Sequence, residues 1–229
     1  MVATSQLNND SHQTLRLEAL PLFTRDAFLR CIALPVFQKS GWYLAGGTAL
    51  ALQVGHRQSQ DLDFFTSQKD FSVEELVLEL AQEKSWSIES RSPGTLYGEL
   101  LGAKVSFIAY PFFTPREPFL KQGTVSIIRP PDIGAMKIAA ISQRGRKRDF
   151  VDLYWLCHNV QTLEESFERA LSQFSIRQNP NHVVKSMAYF ADAESDPMPT
   201  LFFDATWEDI KKYFRTEVPR IAKKLLRLE

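Results

Sequence analysis

The sequence predicts an α+β fold, with a mixed β-sheet and flanking helices followed by a C-terminal helical domain. In the first half of the chain, short apolar or alternating runs typical of strands are interleaved with helical patterns. Beyond residue 122, one last strand precedes a succession of helical patterns. We therefore expect a disordered tail over 1–14, a sheet domain over 15–122 and a mainly helical domain over 123–229.

Local patterns place the elements of the first half. Residues 26–39 have helical spacing, which Pro35 should kink or end. The run WYLAG indicates a buried strand, and GTALALQVG indicates a helix that Gly55 stops. Ser72 and Glu75 are spaced as a capping box at the start of the amphipathic helix SVEELVLELAQEK. The other predicted strands are DLDFFT, WSIESR, TLYGEL and AKVSFIAY.

The second half is predicted to be mainly helical. After the last strand, two helices break at Gly145, and helical spacing continues through LEESFERALSQF and NHVVKSMAYFA. A final basic helical stretch begins at about Thr206, with Pro219 as a second helix start.

The composition is that of an ordinary soluble globular protein. The 229 residues are 44% hydrophobic, and 27 basic residues balance 27 acidic ones. No global charge draws the chain to nucleic acid or to a membrane, so local patches must carry any such role. Cys31 and Cys157 show no disulfide or metal spacing, and the sequence has no signal peptide or membrane-spanning run. We expect a cytoplasmic protein with no membrane partner.

The stretch LAGGTALALQVGHRQSQDLDFF holds the strongest functional signal. On a strand, the period of two places the Asp61 and Asp63 carboxylates on one face and Leu62 on the other. Two like charges held side by side repel each other unless a cation neutralises them. Oxygen ligands of this kind suit Mg²⁺, which takes one or two carboxylates together with substrate phosphates and water.

A glycine pair precedes these carboxylates. Gly46 and Gly47 lie between an apolar strand and a helix, where backbone N–H groups can approach an anion, and Thr48 could add a hydroxyl. His56 and Arg57 could approach the same anion, although a plain surface loop would show the same pattern. Taken alone, each motif is more often structural. Their ordered combination favours a phosphate cradle beside a divalent-metal site, which is the arrangement that nucleotidyl transfer needs.

The stretch GGTAL…GHRQSQDLDFF resembles the polymerase-β-like nucleotidyltransferase superfamily. More closely, the chain resembles the AbiEii/AbiGii toxin family, the type IV toxin nucleotidyltransferases. The resemblance runs from about Phe37 to Val160 and includes a second block, PPDIGAMKIAAISQRGRKRDFVDLYWL. It implies a catalytic sheet domain and a helical domain that closes over a nucleoside triphosphate (NTP).

The resemblance also implies roles for the residues of the first block. Gly46, Gly47 and Thr48 would hold the triphosphate. Asp61 and Asp63 would bind Mg²⁺, or Mn²⁺ in its place, and align the nucleophile, the α-phosphate and the leaving pyrophosphate.

In the second block, family proteins use a Lys and an Asp, which by position are Lys137 and either Asp149 or Asp152. Lys137 and Arg144 are two helical turns apart, so one helix face could present both to phosphates. From Lys137 to Arg148 there are five basic residues and no acid. Arg148 therefore joins the predicted nucleotide-binding set.

Two interpretations of the acidic pair stay open. Asp149 and Asp152 share a helix face and could hold an arginine, accept a proton from the acceptor hydroxyl, or bind the base. Alternatively, the segment is a solvated basic helix whose acids merely pair with Arg146 or Arg148.

The chain departs from the superfamily at the third carboxylate, which a later strand usually supplies. Ser106 holds that position in the strand over 103–108. Serine cannot take a proton at neutral pH or bind a hard cation well. Either Asp149 or Asp152 then activates the acceptor, with Glu99 as a weaker substitute, or the chemistry is slow.

The favoured hypothesis is a Mg²⁺-dependent nucleotidyltransferase that transfers a nucleotide from an NTP to tRNA or to a protein hydroxyl. Within the resembled family it would be a toxin neutralised by a cognate antitoxin. One alternative is a catalytically weak NTP-binding module. Another is an RNA-binding or partner-binding protein on the same scaffold, although pure binding has no need of adjacent carboxylates.

Overall fold

The computed structural model of the protein describes residues 14–39, 41–175 and 179–225. The tail predicted over 1–14 lies outside the described residues, apart from Thr14. The described strands are β1 (Tyr43–Ala45), β2 (Leu62–Thr66), β3 (Trp86–Ser92), β4 (Thr95–Leu100), β5 (Ala103–Ala109), β6 (Leu120–Gln122) and β7 (Val125–Ile127). The described helices are α1 (Leu22–Cys31), α2 (Val36–Lys39), α3 (Gly46–Val54), α4 (Val73–Leu80), α5 (Pro130–Arg144), α6 (Lys147–Asn159), α7 (Leu163–Gln173), α8 (Pro180–Met187), α9 (Ala191–Glu194) and α10 (Trp207–Leu225).

The strands form one mixed sheet with the order β3-β4-β5-β2-β1-β7-β6. The two central strands, β1 and β2, are antiparallel to each other, whereas β2 is parallel to β5 and β1 is parallel to β7. The hairpins β3–β4–β5 and β6–β7 complete the two sides. The prediction of a mixed sheet with flanking helices is confirmed.

The sheet extends further along the chain than the strand patterns indicated. The short strand β6, which follows the Pro- and Phe-rich stretch over 110–118, was not predicted. The predicted boundary at residue 122 lies within the β6–β7 hairpin, and β7 pairs with β1 in the centre of the sheet. The division of the chain into domains stays a prediction.

The helices begin and end largely where capping residues indicated. Gly55 and Gly145 adopt left-handed conformations directly after α3 and α5. Ser72 accepts a hydrogen bond from the Glu75 backbone N–H at the start of α4. Pro35 interrupts the helical pattern over 26–39, as predicted, because α1 ends at Cys31 and α2 begins directly after the proline.

The prediction that Pro219 starts a second helix is wrong, since α10 continues through it. A proline in a helix interior costs about 3 kcal/mol through its lost hydrogen bond and its ring clash. Packing outweighs that cost here. Ile210, Phe214, Val218 and Ile221 form a buried stripe along α10 that spans the proline.

The core position of β2 determines which side chains face the functional site. Leu62, Phe64 and Thr66 are buried, while Asp63 and Phe65 point to the opposite face. Phe64 packs against Phe107 and Phe37 in an aromatic cluster, with ring centroids 5.5 and 4.4 Å away. A one-residue slip of β2 would bury the carboxylate instead of the phenyl ring, so the core fixes the direction of Asp63.

Candidate active site

A cavity of about 360 Å³ lies between the sheet face that carries Asp63 and the helices α5 and α6. Its apolar wall includes Phe65, Ile108, Tyr110 and Met136. Most of the predicted site residues form its polar wall, namely Gly46, Asp61, Asp63, Lys137, Arg144, Arg148 and Asp149. The remaining predicted residues, Gly47, Thr48, Arg57 and Asp152, are outside the cavity lining.

The two glycines at the start of α3 are needed for different reasons. Gly46 has a φ of +70°, and a Cβ there would lie 3.3 Å from the Asp63 carboxylate. A Cβ on Gly47 would collide with the guanidinium of Arg57. Glycine therefore allows Asp63 and Arg57 to approach the backbone closely, and leaves the first N–H groups of α3 beside the cavity.

Thr48 links α3 to the start of β2. Its hydroxyl donates a hydrogen bond to the Asp61 carbonyl oxygen at 2.5 Å and lies 2.8 Å from the Ser59 hydroxyl. The side chain is buried, with 2% exposed. The predicted hydroxyl contribution to a phosphate cradle is thus already engaged within the protein, and an anion at this turn would meet backbone N–H groups instead.

Asp61 and Asp63 both face the cavity, as the strand period predicted. Asp63 lies next to Ser106 in the parallel register of β2 and β5, and the Ser106 hydroxyl donates to its carboxylate at 2.6 Å. Burial raises the pKa of Asp63, the Ser106 hydrogen bond opposes that rise, and the Asp61 charge adds to it. The structure therefore leaves the Asp63 carboxylate short of neutralising charge.

The third-carboxylate position is occupied by the Ser106 hydroxyl. Its neighbour on β4 is Tyr97, whereas Glu99 is exposed and pairs in register with Lys104. Within the described part of the chain, no group of three or more His, Cys, Asp or Glu side chains could hold a metal ion. The donor set of Asp61 and Asp63 fits Mg²⁺, which takes one or two carboxylates and completes its shell with phosphates and water.

At the wall that α5 and α6 form, Lys137 joins the two acids of the second block. Its ammonium lies 2.8 Å from an Asp149 carboxylate oxygen and 2.6 Å from one of Asp152. Arg144 lies 3.3 Å from the other Asp149 oxygen. Burial opposes the charged form of Asp149, but the Lys137 and Arg144 cations outweigh it and hold the pKa of Asp149 below its ordinary value.

Asp152 is the centre of this buried network. Its carboxylate accepts from Arg57 Nε at 2.5 Å, from Arg57 Nη2 at 2.9 Å and from His56 Nε2 at 2.7 Å. Against the effect of burial, the Arg57 and Lys137 cations hold the pKa of Asp152 well below its ordinary value. Burial lowers the pKa of His56, so its imidazole is neutral and donates to Asp152.

These contacts correct two interpretations of the sequence. Asp149 and Asp152 are fully buried, so the solvated-helix alternative, in which they pair with Arg146 or Arg148, is wrong. The loop before the carboxylates is not a plain surface loop either, because His56 is 1% and Arg57 is 4% exposed.

Sequence reasoning did not find the partnership of His56 and Arg57 with Asp152, which joins residues about 95 positions apart. A signal was present, since two adjacent acids on one helix face need cations close by. The sequence offered nearer arginines for that role.

Arg148 and Asp61 meet at the mouth of the cavity. The Arg148 guanidinium lies 3.4 Å from the Asp61 carboxylate. Their side chains are 50% and 40% exposed, so solvent screens the pair and its contribution to stability is small. This ion pair can therefore exchange for contacts with a ligand.

The geometry agrees with a comparison against known families. The family model of the nucleotidyl transferase AbiEii toxin of type IV toxin–antitoxin systems matches residues 27–85 and 101–226, which is most of the chain. The chain belongs to this family. The AbiEii membership covers both the block with the glycine pair and the block with Lys137, so the predicted resemblance is confirmed.

Individual relatives agree with this assignment. An uncharacterised protein of Aquifex aeolicus is 32% identical over 205 residues, covering 85% of this AbiEii chain and 93% of that protein. A solved structure of a candidate nucleotidyltransferase from H. pylori is 18% identical, with a TM-score of 0.51 over 89% of this chain and 96% of that one. The nucleotidyltransferase toxin MenT4 of Mycobacterium tuberculosis is 15% identical, with a TM-score of 0.52 over 88% and 89%. At these identities the two structures show a shared fold.

One further property concerns membranes. Every helix in the described ranges is too short or too polar to cross a bilayer.

Proposed function

We propose that this AbiEii family member is a Mg²⁺-dependent nucleotidyltransferase that transfers a nucleotide from an NTP to a hydroxyl of tRNA or of a protein. The observation that carries the proposal is the convergence of three groups on one cavity. These are the N-terminus of α3 at Gly46, the Asp61 and Asp63 carboxylates, and the Lys137 ammonium. As a family toxin, the protein would act in the cytoplasm and be held inactive by a cognate antitoxin.

The metal would be held by Asp61 and Asp63. Mg²⁺ bound there supplies charge neutralisation at the transferring phosphate and at the leaving pyrophosphate. The raised pKa of Asp63 supports this role, because burial and the neighbouring Asp61 charge outweigh the Ser106 hydrogen bond and the Arg148 and Lys137 charges that oppose the rise. Mn²⁺ takes the same oxygen ligands and is expected to substitute.

The triphosphate would lie along the α3 N-terminus. Backbone N–H groups of the Gly46–Gly47 turn would face an anion there, and the helix dipole would favour its negative charge. Lys137 and Arg144 approach the same space from α5. The apolar wall at Phe65 and Tyr110 offers a surface on which a nucleobase can stack.

Deprotonation of the acceptor hydroxyl is the weak part of this site. Ser106 cannot accept the proton at neutral pH. Asp149 is a poor base, because its neighbouring cations keep its pKa below the ordinary value. Asp152 is buried beneath Lys137 and Arg57 and cannot reach the acceptor. We therefore assign Asp149 to holding Lys137 and Arg144, and we expect slow turnover.

The serine at the position of the third carboxylate favours one alternative function, an NTP-binding module with little transfer activity. The Ser106 hydroxyl stands where the superfamily usually places a carboxylate, and its proton is donated to Asp63. Such a module would keep the triphosphate cradle and the metal-binding pair while lacking the group that activates the acceptor.

The test is to incubate the protein with each α-labelled NTP, Mg²⁺ and total tRNA. The control is the Asp61→Asn/Asp63→Asn double variant, with Asp70→Asn as a matched substitution at an exposed aspartate outside the site. Label on RNA or on protein with wild type and Asp70→Asn, but not with the double variant, would establish the transferase and its acceptor class. Mg²⁺-dependent NTP binding without transfer would establish the binding module. Neither binding nor transfer would refute both functions.

A further inference from the structure

Two tyrosines stand in the wall of the proposed nucleotide cavity, Tyr97 on β4 and Tyr110 directly after β5. Among the described residues that line this cavity, they are the ones that carry a hydroxyl group. A nucleotidyl transfer needs a hydroxyl that can reach the phosphate held beside Asp61 and Asp63. The protein therefore has two candidate acceptors in its own cavity wall.

Tyr110 is held in the apolar part of this wall. Its ring makes edge contacts with the rings of Phe65, Phe112 and Phe174, whose centroids lie 5.5, 6.1 and 6.1 Å away. Burial raises the pKa of Tyr110, which opposes the loss of its proton. A phenol packed among three rings is a poor nucleophile, so Tyr110 is suited to forming the wall and not to reacting.

Tyr97 lies in a more open position, in line with Asp63 across the sheet. Ser106 pairs in register with Asp63 on one side and with Tyr97 on the other, so all three side chains share one face. Neighbouring strands are about 4.8 Å apart, which puts the backbones of Tyr97 and Asp63 about 10 Å apart. Tyr97 is 42% exposed, and its two neighbours in register, Ser90 and Ser106, are both small. They leave the ring room to turn toward Asp63.

The chemistry of a phenol fits a site that has no strong base. Ser106 cannot take the proton of an acceptor, and the lowered pKa of Asp149 makes that carboxylate a poor base. A tyrosine hydroxyl gives up its proton much more readily than the hydroxyl of a serine or of a ribose, and tyrosine is one of the side chains that act as nucleophiles in enzymes. The weak base of this site therefore limits a phenol less than it limits an alkyl hydroxyl.

We propose that Tyr97 is a self-modification site, to which the protein transfers a nucleotide from an NTP within the same chain. This inference rests on the proposed transferase function. The Tyr97 oxygen forms a bond to the α-phosphorus, and the bond from the α-phosphorus to the oxygen that bridges it to the β-phosphorus breaks. Pyrophosphate leaves with the electrons of that bond, and the phenolic proton is released to solvent. The nucleotide joined to Tyr97 then occupies the cavity and prevents a further NTP from binding, so the modification switches the site off.

The test is to incubate the protein with each α-labelled NTP and Mg²⁺, without added RNA, and to map the label by mass spectrometry. Tyr97 should gain one nucleoside monophosphate less one water, and the modified protein should no longer take up NTP in a titration. Tyr97→Phe should lose the label, whereas Tyr189→Phe, at a tyrosine that is 55% exposed and outside the cavity, should keep it. Label on another residue, or label that persists in Tyr97→Phe, would overturn the proposal. Because wild type itself is mapped, a folding defect of Tyr97→Phe would not affect the result.

A mixing experiment tests transfer within one chain. The Asp61→Asn/Asp63→Asn variant keeps Tyr97 but lacks the metal-binding carboxylates, so it should stay unlabelled when it is mixed with wild type made larger by a tag. Label on the double variant would overturn transfer within the chain. Label on added tRNA but not on the protein would overturn the proposal and leave the transferase function standing. Mg²⁺-dependent NTP binding with no label on any acceptor would overturn it in favour of the binding module.

Discussion

Asp152→Asn should destabilise the protein strongly, because Asp152 is the carboxylate that neutralises the buried cations of the network. It accepts two hydrogen bonds from Arg57 and one from His56, and it lies 2.6 Å from the Lys137 ammonium. Removing one partner of a buried ion pair costs about 3–5 kcal/mol. That is a large part of the roughly 5–15 kcal/mol that stabilises a typical domain.

Asp149→Asn is the matched comparison on the same helix. Lys137 would keep Asp152 as its partner, and Arg144 is 54% exposed, so water can solvate its guanidinium. We expect a loss of about 1.5–3 kcal/mol, the range for a hydrogen bond to a charged group. Urea unfolding at neutral pH, followed by tryptophan fluorescence, gives both free energies of unfolding.

A compensating variant separates the ion network from a general packing defect. Arg57→Met with Asp152→Leu removes both buried charges of that pair and leaves the contact between Lys137 and Asp149 intact. Replacement of a buried pair by apolar side chains is often neutral or stabilising, so the double variant should unfold at higher urea than Asp152→Asn. A loss below about 1 kcal/mol for Asp152→Asn, or no recovery in the double variant, would refute this account of the network.

Four further predictions follow from the same contacts. Lys137→Met should weaken NTP binding about tenfold in calorimetric titration, without changing the Mg²⁺ dependence of the residual binding. Gly47→Ala should cost about 2 kcal/mol or more in urea unfolding, because its Cβ displaces the Arg57 guanidinium. Ser106→Asp should lower the free energy of unfolding without metal but increase the stabilisation that added Mg²⁺ gives, whereas Ser90→Asp, on the exposed strand β3, should do neither. Since burial lowers the pKa of His56, its contribution to stability should be lost as the pH falls below about 6.5, where the unfolded chain takes up the proton, and His56→Gln should flatten that part of the pH–stability curve.

Local patterns predicted most of the fold and only part of the site. The strands around Asp63 and the helix at Gly46 follow from alternation and from glycine positions, which are short-range signals. Strand β6 was missed because three residues after a Pro-rich stretch give too little alternation. Pro219 was misjudged because the burial of a long apolar stripe outweighs a local preference. Such packing is a property of the folded chain and does not show in a short window.

The ion pairs of the buried network could not be predicted from short stretches of sequence either. The acids of α6 had nearer arginines in the sequence, but Arg146 pairs with Asp196 and Arg148 pairs with Asp61. Arg57 approaches Asp152 from a distant loop, which Gly47 allows to pass close to the α3 backbone. One sequence gives no record of such long-range pairing, so the roles of Asp149 and Asp152 could be separated only in three dimensions.

The two acidic pairs of the protein have opposite electrostatic environments. Asp149 and Asp152 receive the internal cations Lys137, Arg144 and Arg57, and their pKa values are held low. Asp63 has a hydroxyl for a partner and a raised pKa, while Asp61 has the exposed and exchangeable Arg148.

Because internal cations neutralise the first pair, while Asp63 on the cavity wall keeps a raised pKa, our proposal has the Asp61–Asp63 pair take a cation from outside. Asp61 and Asp63 therefore carry the ligand-dependent chemistry in our proposal. Asp152 instead stabilises the buried network. Asp149 connects that network to the cavity through its contact with Lys137. The contrast between Asp152→Asn and the Asp61→Asn/Asp63→Asn variant measures this division directly. The first should lose free energy of unfolding, and the second should lose metal-dependent NTP binding while staying folded.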